Sequence, residues 1–169
     1  MKEITTKIFI SHATTLIGAA VAASLGMAYI AEYGFKLLPC ELCLMQRKPF
    51  FAVLALAAIA FFLRKPIQRN IILAVMGVLL LGNSGLALYH TGVEQKWWQG
   101  PTECSSDEMQ TGLSMEEMRA QILAAPLIRC DVPAWEFHGI TMASLNIFFC
   151  LFLALFSFWS LYAITRRQS

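Results

Sequence analysis

Apolar stretches long enough to cross a membrane alternate with short polar segments along this chain of 169 residues. Four stretches contain no Asp, Glu, Lys or Arg, and they lie between residues 7 and 32, 48 and 64, 69 and 94, and 136 and 166. A helix of about 20 apolar residues crosses the roughly 30 Å of hydrocarbon in a bilayer. The pattern therefore predicts transmembrane helices over about residues 12–31, 43–63, 70–90 and 139–164.

These helices predict an all-α membrane protein, in which a four-helix transmembrane bundle forms a single domain over residues 1–169. Loops would cover about residues 32–42 and, between helices three and four, about residues 91–138. The composition agrees, because 57% of the residues are hydrophobic and only 14% are charged, which is too apolar for an ordinary soluble domain. The net charge of +2 gives no indication of a nucleic-acid partner, and the lipid bilayer is the expected surrounding.

The first apolar stretch has an alternative interpretation as a secretory signal peptide, with Ala20-Val21-Ala22 as the cleavage site. The stretch continues unbroken to Ala31, however, whereas the apolar region of a signal peptide spans only about 7–15 residues. We therefore interpret it as an uncleaved transmembrane helix.

The positive charges predict the orientation of the bundle. Lys and Arg collect at the N-terminus, in the loop of residues 64–69 and at the C-terminus, whereas ten of the eleven acidic residues lie in or beside the other two loops. The positive-inside rule then places both termini in the cytoplasm. Four cysteines lie on the opposite side, and they are Cys40, Cys43, Cys104 and Cys130. They would face the periplasm or the outside, where disulfides persist.

Cys40 and Cys43 form a Cys-x-x-Cys pair at the expected start of helix two. A helix N-terminus presents unpaired N–H groups and the positive end of the helix dipole, which favour a thiolate over a thiol. Arg47 follows Cys43 by one helical turn and would project from the same face. Its cation would stabilise the thiolate or hold a polar ligand beside it. A disulfide between Cys40 and Cys43 would close only a tiny loop and would constrain the unfolded chain little, so the pair indicates redox chemistry.

Cys104 and Cys130 lie in the long loop, on the same membrane face as Cys40 and Cys43. Two dithiols on one face could pass two electrons from one pair to the other by thiol–disulfide exchange. Two static disulfides are the structural alternative, since cysteines outside the cytoplasm most often stabilise a fold. No metal site is expected, because Cys104 and Cys130 lack the close spacing of zinc ligands. Cys150, in the middle of helix four, is expected to be a small buried apolar side chain. Polar residues inside the predicted helices are expected to bond between helices, and they are Asn83, Ser84 and Asn146.

Several motifs together resemble those of one known family. They are Pro39-Cys40-x-x-Cys43-x-x-x-Arg47, Tyr89-His90, Trp97-Trp98-Gln99-Gly100-Pro101 before Cys104, Cys130-Asp131-x-Pro133-x-Trp135, and Gly139-x-x-Met142-Ala143-x-x-Asn146. With four helices and a long second external loop, the chain resembles the DsbB family over essentially its whole length. Members of this family are quinone-reducing disulfide-bond-formation proteins of bacterial inner membranes.

The resemblance implies a thiol–disulfide oxidoreductase with a defined route for electrons. An oxidised Cys104–Cys130 pair would accept electrons from a periplasmic thioredoxin-fold oxidase of the DsbA type. Cys104 would form the mixed disulfide with that partner, and Cys130 would exchange with Cys40. Cys43 would then face a membrane quinone, either ubiquinone or menaquinone.

The resemblance also implies a quinone-binding site. Arg47 would stabilise the Cys43 thiolate and a quinone oxygen, while His90 either borders the same site or is an ordinary interfacial histidine. A quinone suits the role of acceptor for an energetic reason. A DsbA-type dithiol is already strongly oxidising, at about −120 mV, so electrons flow from it only to an acceptor of higher potential.

Two rival interpretations remain open from the sequence. A protein resembling the vitamin K epoxide reductase family would also be a four-helix relay between dithiol and quinone. Its membrane-edge dithiol usually comes late in the chain, whereas here the pair opens helix two. A non-enzymatic membrane protein of tetraspanin-like outline would have structural disulfides in its loop. Such a loop normally carries two adjacent cysteines together with a glycine, and no adjacent cysteines are present here.

Overall fold

The structure is a computed structural model that describes residues 2–63, 65–100, 114, 116 and 129–168. The described helices are α1 (Lys2–Tyr29), α2 (Glu41–Phe62), α3 (Pro66–Glu94) and α4 (Met142–Gln168). Within these ranges four helices are long and apolar enough to cross a membrane, which confirms that part of the predicted fold class. A π-helical turn, Ile30–Gly34, continues α1. A short antiparallel hairpin of β1 (Glu136–Phe137) and β2 (Ile140–Thr141) precedes α4.

Helices α1 and α3 extend beyond the ends that the charge-free windows predict. α1 begins at Lys2 instead of about residue 12, and α3 covers Pro66–Glu94 instead of about residues 70–90. A charge-free stretch marks only the part of a helix that can lie in the hydrocarbon of the bilayer. The backbone hydrogen bonds of the helix continue into the polar residues on either side of that part. Pro66 opens α3 without cost, because the first residue of a helix has no intrahelical use for its N–H.

Helix α4 begins at Met142, three residues after its expected start. His138 and Gly139, which join the two short strands, have positive φ angles of 51° and 80°. That backbone suits a two-residue hairpin turn and is incompatible with a helix. The helix is then capped by Thr141, whose Oγ1 accepts a hydrogen bond from the Ser144 N–H (3.2 Å). Ser144 Oγ accepts one in return from the Thr141 N–H (2.8 Å), as in a capping box.

The core lies along the bundle axis, where α3 and α4 share the most extensive contact. Its fully buried large side chains include Ile17, Val53, Leu73, Met76 and Leu80. Gly18 lets α1 approach α2, since a Cβ at this position would lie 2.8 Å from the Cβ of Ala57. The outer surface carries large apolar side chains, among them Phe61, Phe62, Phe148 and Phe152. An apolar exterior around a packed centre suits a bundle surrounded by lipid.

Polar side chains inside the bundle hydrogen-bond across helices. Ser84 Oγ on α3 donates to the Ile147 carbonyl on α4 (3.0 Å), and Ser157 Oγ on α4 donates to the Leu73 carbonyl on α3 (2.7 Å). Bonds of this kind join helices in lipid, where water offers no competing partner. They fix how far α3 and α4 slide and rotate against each other.

Candidate functional site

Two sulfur atoms meet at the start of α2. Cys40 is the N-cap residue of the helix, and its Sγ accepts a hydrogen bond from the Cys43 backbone N–H (3.4 Å). The Cys40 thiol in turn donates to Cys43 Sγ, at 3.1 Å. A disulfide needs the sulfurs at roughly 2.05 Å, so a small movement would join them. The hydrogen bond to Cys43 and burial together raise the pKa of the Cys40 thiol to about 12, which keeps its proton in place at neutral pH.

His90 of α3 brings its ring against this dithiol. Its Nε2 lies 3.4 Å from Cys40 Sγ, and its Nδ1 lies 2.8 Å from Gln46 Nε2. Because the Gln46 amide donates to Nδ1, the ring proton resides on Nε2 and points to Cys40. The amide is oriented by Asn146 of α4, whose Nδ2 donates to Gln46 Oε1 (2.6 Å). Side chains from three helices thus set the tautomer of one buried imidazole.

The same hydrogen bonds continue deeper into the bundle through Cys150. Its Sγ donates to Asn146 Oδ1 (3.3 Å) and accepts from Asn83 Nδ2 (3.4 Å). Every donor points in one direction along the resulting hydrogen-bond chain, which runs Asn83, Cys150, Asn146, Gln46, His90, Cys40, Cys43. Cys150 is buried as expected, yet it is also a polar link, because Asn83 and Asn146 converge on its sulfur.

Glu94 approaches His90 from one helical turn further along α3. Its Oε1 lies 3.7 Å from His90 Nε2, and the Glu94 side chain is only 6% exposed. Its other oxygen accepts a hydrogen bond from Thr141 Oγ1 (2.6 Å). Sequence reasoning missed both Glu94 and Gln46. The available signal was their spacing, since Glu94 follows His90 by four residues and Gln46 follows Cys43 by three.

Arg47 is paired with an acidic residue from the π-helical turn. Its Nη1 donates to Glu32 Oε2 at 2.6 Å, and both side chains are largely buried. The guanidinium also lies over the Tyr29 ring, 4.9 Å from the centroid, a cation–π contact. Arg47 and Cys43 line the same cavity, as expected for residues one turn apart on one helix face. The guanidinium, however, donates its hydrogen bond to Glu32. π turns inside helices are frequent at functional sites, and this one presents Glu32 to Arg47.

Two cavities flank the dithiol. The larger has a volume of about 970 Å³ and lies between α1, α2 and α4, with Gln46 and Arg47 among its few polar lining residues. The smaller, of about 280 Å³, lies on the loop side and is lined by Cys40 and Arg129. Three of the side chains that line both cavities carry a thiol, an imidazole or a carboxyl group, and they are Cys43, His90 and Glu94.

A third expected site cysteine, Cys130, lies against the dithiol from the loop. It is buried and shares one apolar cluster with Cys40, Leu42 and Val93. Beside it, Arg129 donates two hydrogen bonds to the Asp131 carboxylate (2.9 and 2.7 Å), and these hold the pKa of Asp131 below its usual range. Cys104 lies outside the described residues, as does most of the expected loop 91–138. The structure therefore brings together Cys40, Cys43, Cys130 and His90, an arrangement suited to exchange among sulfurs.

Comparisons with known proteins agree with this chemistry. The family model of the disulfide bond formation protein DsbB matches residues 11–160. The chain is 32% identical over 141 residues to the uncharacterized protein RP370 of Rickettsia prowazekii (strain Madrid E), and the match covers 80% of this chain and 81% of that protein. No solved structure matches the chain significantly. Because the family model spans nearly the whole sequence, the chain belongs to the DsbB family of disulfide bond formation proteins.

Proposed function

We propose that this protein reoxidises a periplasmic dithiol oxidase of the DsbA type and passes the two electrons to a membrane quinone. Family membership establishes an oxidoreductase of disulfide bond formation in general terms. One observation carries the finer assignment. Cys43 lies between a cavity on the loop side and a larger cavity among helices of membrane-spanning length. The family match also favours this function over a vitamin K epoxide reductase-like relay and over purely structural loop disulfides.

Electrons would enter through the loop cysteines. A thiolate of the partner would attack the Cys104–Cys130 disulfide at Cys104, which releases Cys130 as a thiolate. Cys130 would then attack Cys40 of an oxidised Cys40–Cys43 pair and release Cys43. The burial of Cys130 in one cluster with Cys40 supports this order. After both exchanges resolve, the partner has lost two electrons and two protons, and Cys40 and Cys43 are thiols.

The larger cavity fits a quinone head group. Its volume of about 970 Å³ and its mainly apolar lining suit an apolar ligand held by a few polar groups. Arg47 would hold a quinone oxygen through a guanidinium N–H next to Cys43, and His90 would border the same cavity. A bound quinone would supply an acceptor for the two electrons and two protons that leave when Cys40 and Cys43 form a disulfide. Glu32 would keep Arg47 in position and offset its charge in the apolar surroundings.

We also propose that the protein lies in the bacterial inner membrane, with both termini cytoplasmic and the redox cysteines periplasmic. The support is the distribution of Lys and Arg among the chain ends and loops. Alkaline phosphatase fused after Gly100 should be active, and green fluorescent protein fused after Ser169 should fluoresce. An inactive phosphatase with a dark C-terminal fusion would contradict this orientation.

The central experiment mixes purified protein, a reduced DsbA-type partner and a soluble quinone, and follows quinone absorbance. We expect wild-type protein to turn over and Cys43→Ser to show no turnover, with unchanged helical circular dichroism as the control for folding. Equal turnover in both would remove Cys43 from its assigned role. Thiol trapping adds a separate test, since removal of quinone should let reduced cysteines accumulate. Structural disulfides would stay oxidised in the same assay.

A further inference from the structure

We propose that Cys40, Cys43 and His90 form a binding site for a thiophilic divalent cation such as Zn²⁺ whenever the two cysteines are reduced. Their ligand atoms all lie within 4.8 Å of one another. Cys40 Sγ is 3.1 Å from Cys43 Sγ and 3.4 Å from His90 Nε2. Tetrahedral zinc, with bonds of about 2.3 Å to sulfur and about 2.0–2.1 Å to nitrogen, separates its ligand atoms by roughly 3.5–3.8 Å. To meet that geometry the two sulfurs would separate by about 0.7 Å and Cys40 Sγ would move about 0.1–0.2 Å further from His90 Nε2. The third distance, which is at most 4.8 Å, would close by about 1.2 Å or less.

The spacing of the cysteines alone does not indicate this site, because the third ligand comes from another helix. His90 is fifty residues from Cys40 and is brought to it by the packing of α3 on α2. The start of α2 adds a feature that suits a bound thiolate. The Cys43 N–H already donates to Cys40 Sγ, and a hydrogen bond of this kind stabilises negative charge on sulfur.

Glu94 is placed to complete a four-ligand site. Its Oε1 lies 3.7 Å from His90 Nε2, while Thr141 holds the other oxygen of the same carboxylate. Two thiolates and this carboxylate would carry three negative charges against the two positive charges of the ion. Arg129, which lines the loop-side cavity and is paired with Asp131, lies on the side from which an ion would arrive. The loaded site would keep one net negative charge, because the Arg129 guanidinium is already paired with Asp131.

The hydrogen-bond chain can prepare His90 as a ligand. A metal ion needs the lone pair of Nε2, so the ring proton must move to Nδ1 and find an acceptor there. Rotation of the Gln46 amide presents its oxygen to Nδ1, and Asn146 and Cys150 can reverse in the same way, because each is both donor and acceptor. The reversed chain would end on Asn83 Oδ1, a buried oxygen with no hydrogen bond among the described residues. Reversal therefore keeps the number of hydrogen bonds in the chain, because the bond that Asn83 Nδ2 loses is replaced by one to Asn83 Oδ1.

Binding would depend on the redox state of the pair. A Cys40–Cys43 disulfide has no thiolate to offer, so only the reduced protein would take the ion. The bound ion would hold both sulfurs and block their exchange with Cys130. Continuous oxidation of the pair would accordingly protect the protein from thiophilic metals, and a halt in oxidation would expose it.

Cobalt titration of the quinone-free, full-length protein in detergent tests the proposal without any turnover assay. We expect the reduced protein to bind one Co²⁺, with a sulfur-to-cobalt charge-transfer band and the intense visible bands of tetrahedral cobalt, and to release it to Zn²⁺. The same protein with the Cys40–Cys43 disulfide formed should show neither band. Weak octahedral bands in the reduced protein, or equal binding in both redox states, would overturn the proposal.

Variants identify the ligands. We expect His90→Ala to weaken cobalt binding about 10-fold or more and to shift the visible bands. Glu94→Gln should weaken binding by a smaller factor. Glu116→Gln, which changes an exposed carboxylate in the long loop, is the matched control and should bind as wild type does. Unchanged affinity and spectrum in His90→Ala would mean that two sulfurs alone chelate the ion, and the three-ligand site would be rejected. Failure of the quinone assay would not affect these results.

Discussion

Arg47 Nη1 lies 2.6 Å from Glu32 Oε2, so the guanidinium assigned to a quinone oxygen is already paired inside the protein. The ion pair joins the π-helical turn after α1 to the second turn of α2. It also holds Arg47 over Tyr29. Glu32 thereby acts as a positioning residue for Arg47, and the two side chains should be tested together.

We expect Arg47→Ala to raise the KM for quinone about tenfold or more, because hydrogen bonds to charged groups contribute about 1.5–3 kcal/mol. Arg47→Lys should have a KM for quinone between those of wild type and Arg47→Ala, since an ammonium keeps the charge but lacks the planar fork of guanidinium. Glu32→Gln, which keeps a hydrogen-bond acceptor, should have the smallest effect. Steady-state kinetics with varied quinone give these values. Formation of the mixed disulfide with the soluble partner is the control, and a selective loss there would argue against the quinone assignment.

Gln46 links α2 to both α3 and α4, which makes it the sensitive point of the hydrogen-bond chain. Gln46→Leu would leave His90 Nδ1 and the Asn146 amide without their partners in an apolar interior. We expect the free energy of unfolding to fall by about 1–3 kcal/mol. Denaturation in detergent provides the measurement. In a double-mutant cycle with Asn146→Leu, the two losses should not add, since both changes break the same bond. Strict additivity would show that the two amides act independently.

Gly18 sets the distance between α1 and α2. A methyl group there would press on the Ala57 Cβ, which cannot rotate away. We expect Gly18→Ala to destabilise the bundle by about 1–3 kcal/mol, as overpacking does, and Ala57→Gly to restore part of the loss. Gly26 on the same helix has no atom within 4 Å of its virtual Cβ, so Gly26→Ala should be neutral or slightly stabilising. Equal melting temperatures for Gly18→Ala and Gly26→Ala would contradict the close approach.

Gly92 makes room for Trp98 at the end of α3. The indole packs on this glycine, donates from Nε1 to the Tyr89 carbonyl (2.9 Å) and stacks on the Tyr89 ring. Any side chain at position 92 would overlap the indole. Trp98 is 42% exposed, and we expect Gly92→Ala to expose it further and shift its fluorescence to longer wavelength, with Trp98→Phe used to isolate its emission. Gly85→Ala is the control, because its virtual Cβ meets nothing within 4 Å. An unshifted spectrum in Gly92→Ala would contradict this packing.

Local features of the chain were predictable because they depend on short-range pattern. The charge-free stretches predicted the helices, and the Cys40–Cys43 spacing predicted a dithiol where α2 begins. The contact of His90 with Cys40 depends instead on how α3 is rotated against α2, and hydropathy does not report rotation. For the same reason the sequence predicts only an apolar role for Cys150, because it does not show that Asn83 and Asn146 hydrogen-bond to the sulfur. The hairpin at His138–Gly139 has only a weak signal, since the preferred pairs of such a turn are Asn-Gly, Asp-Gly and Gly-Gly.

Cys43 has a different neighbourhood on each side, since it borders both the loop-side cavity and the one among the helices. A carrier with a long lipid tail and a water-soluble protein would therefore never need to touch each other. His90 and Glu94 line both cavities as well, so the Cys43 sulfur lies at their boundary and could exchange electrons with a reactant on either side. An oxidant confined to the bilayer would in this way act on thiols that never enter it.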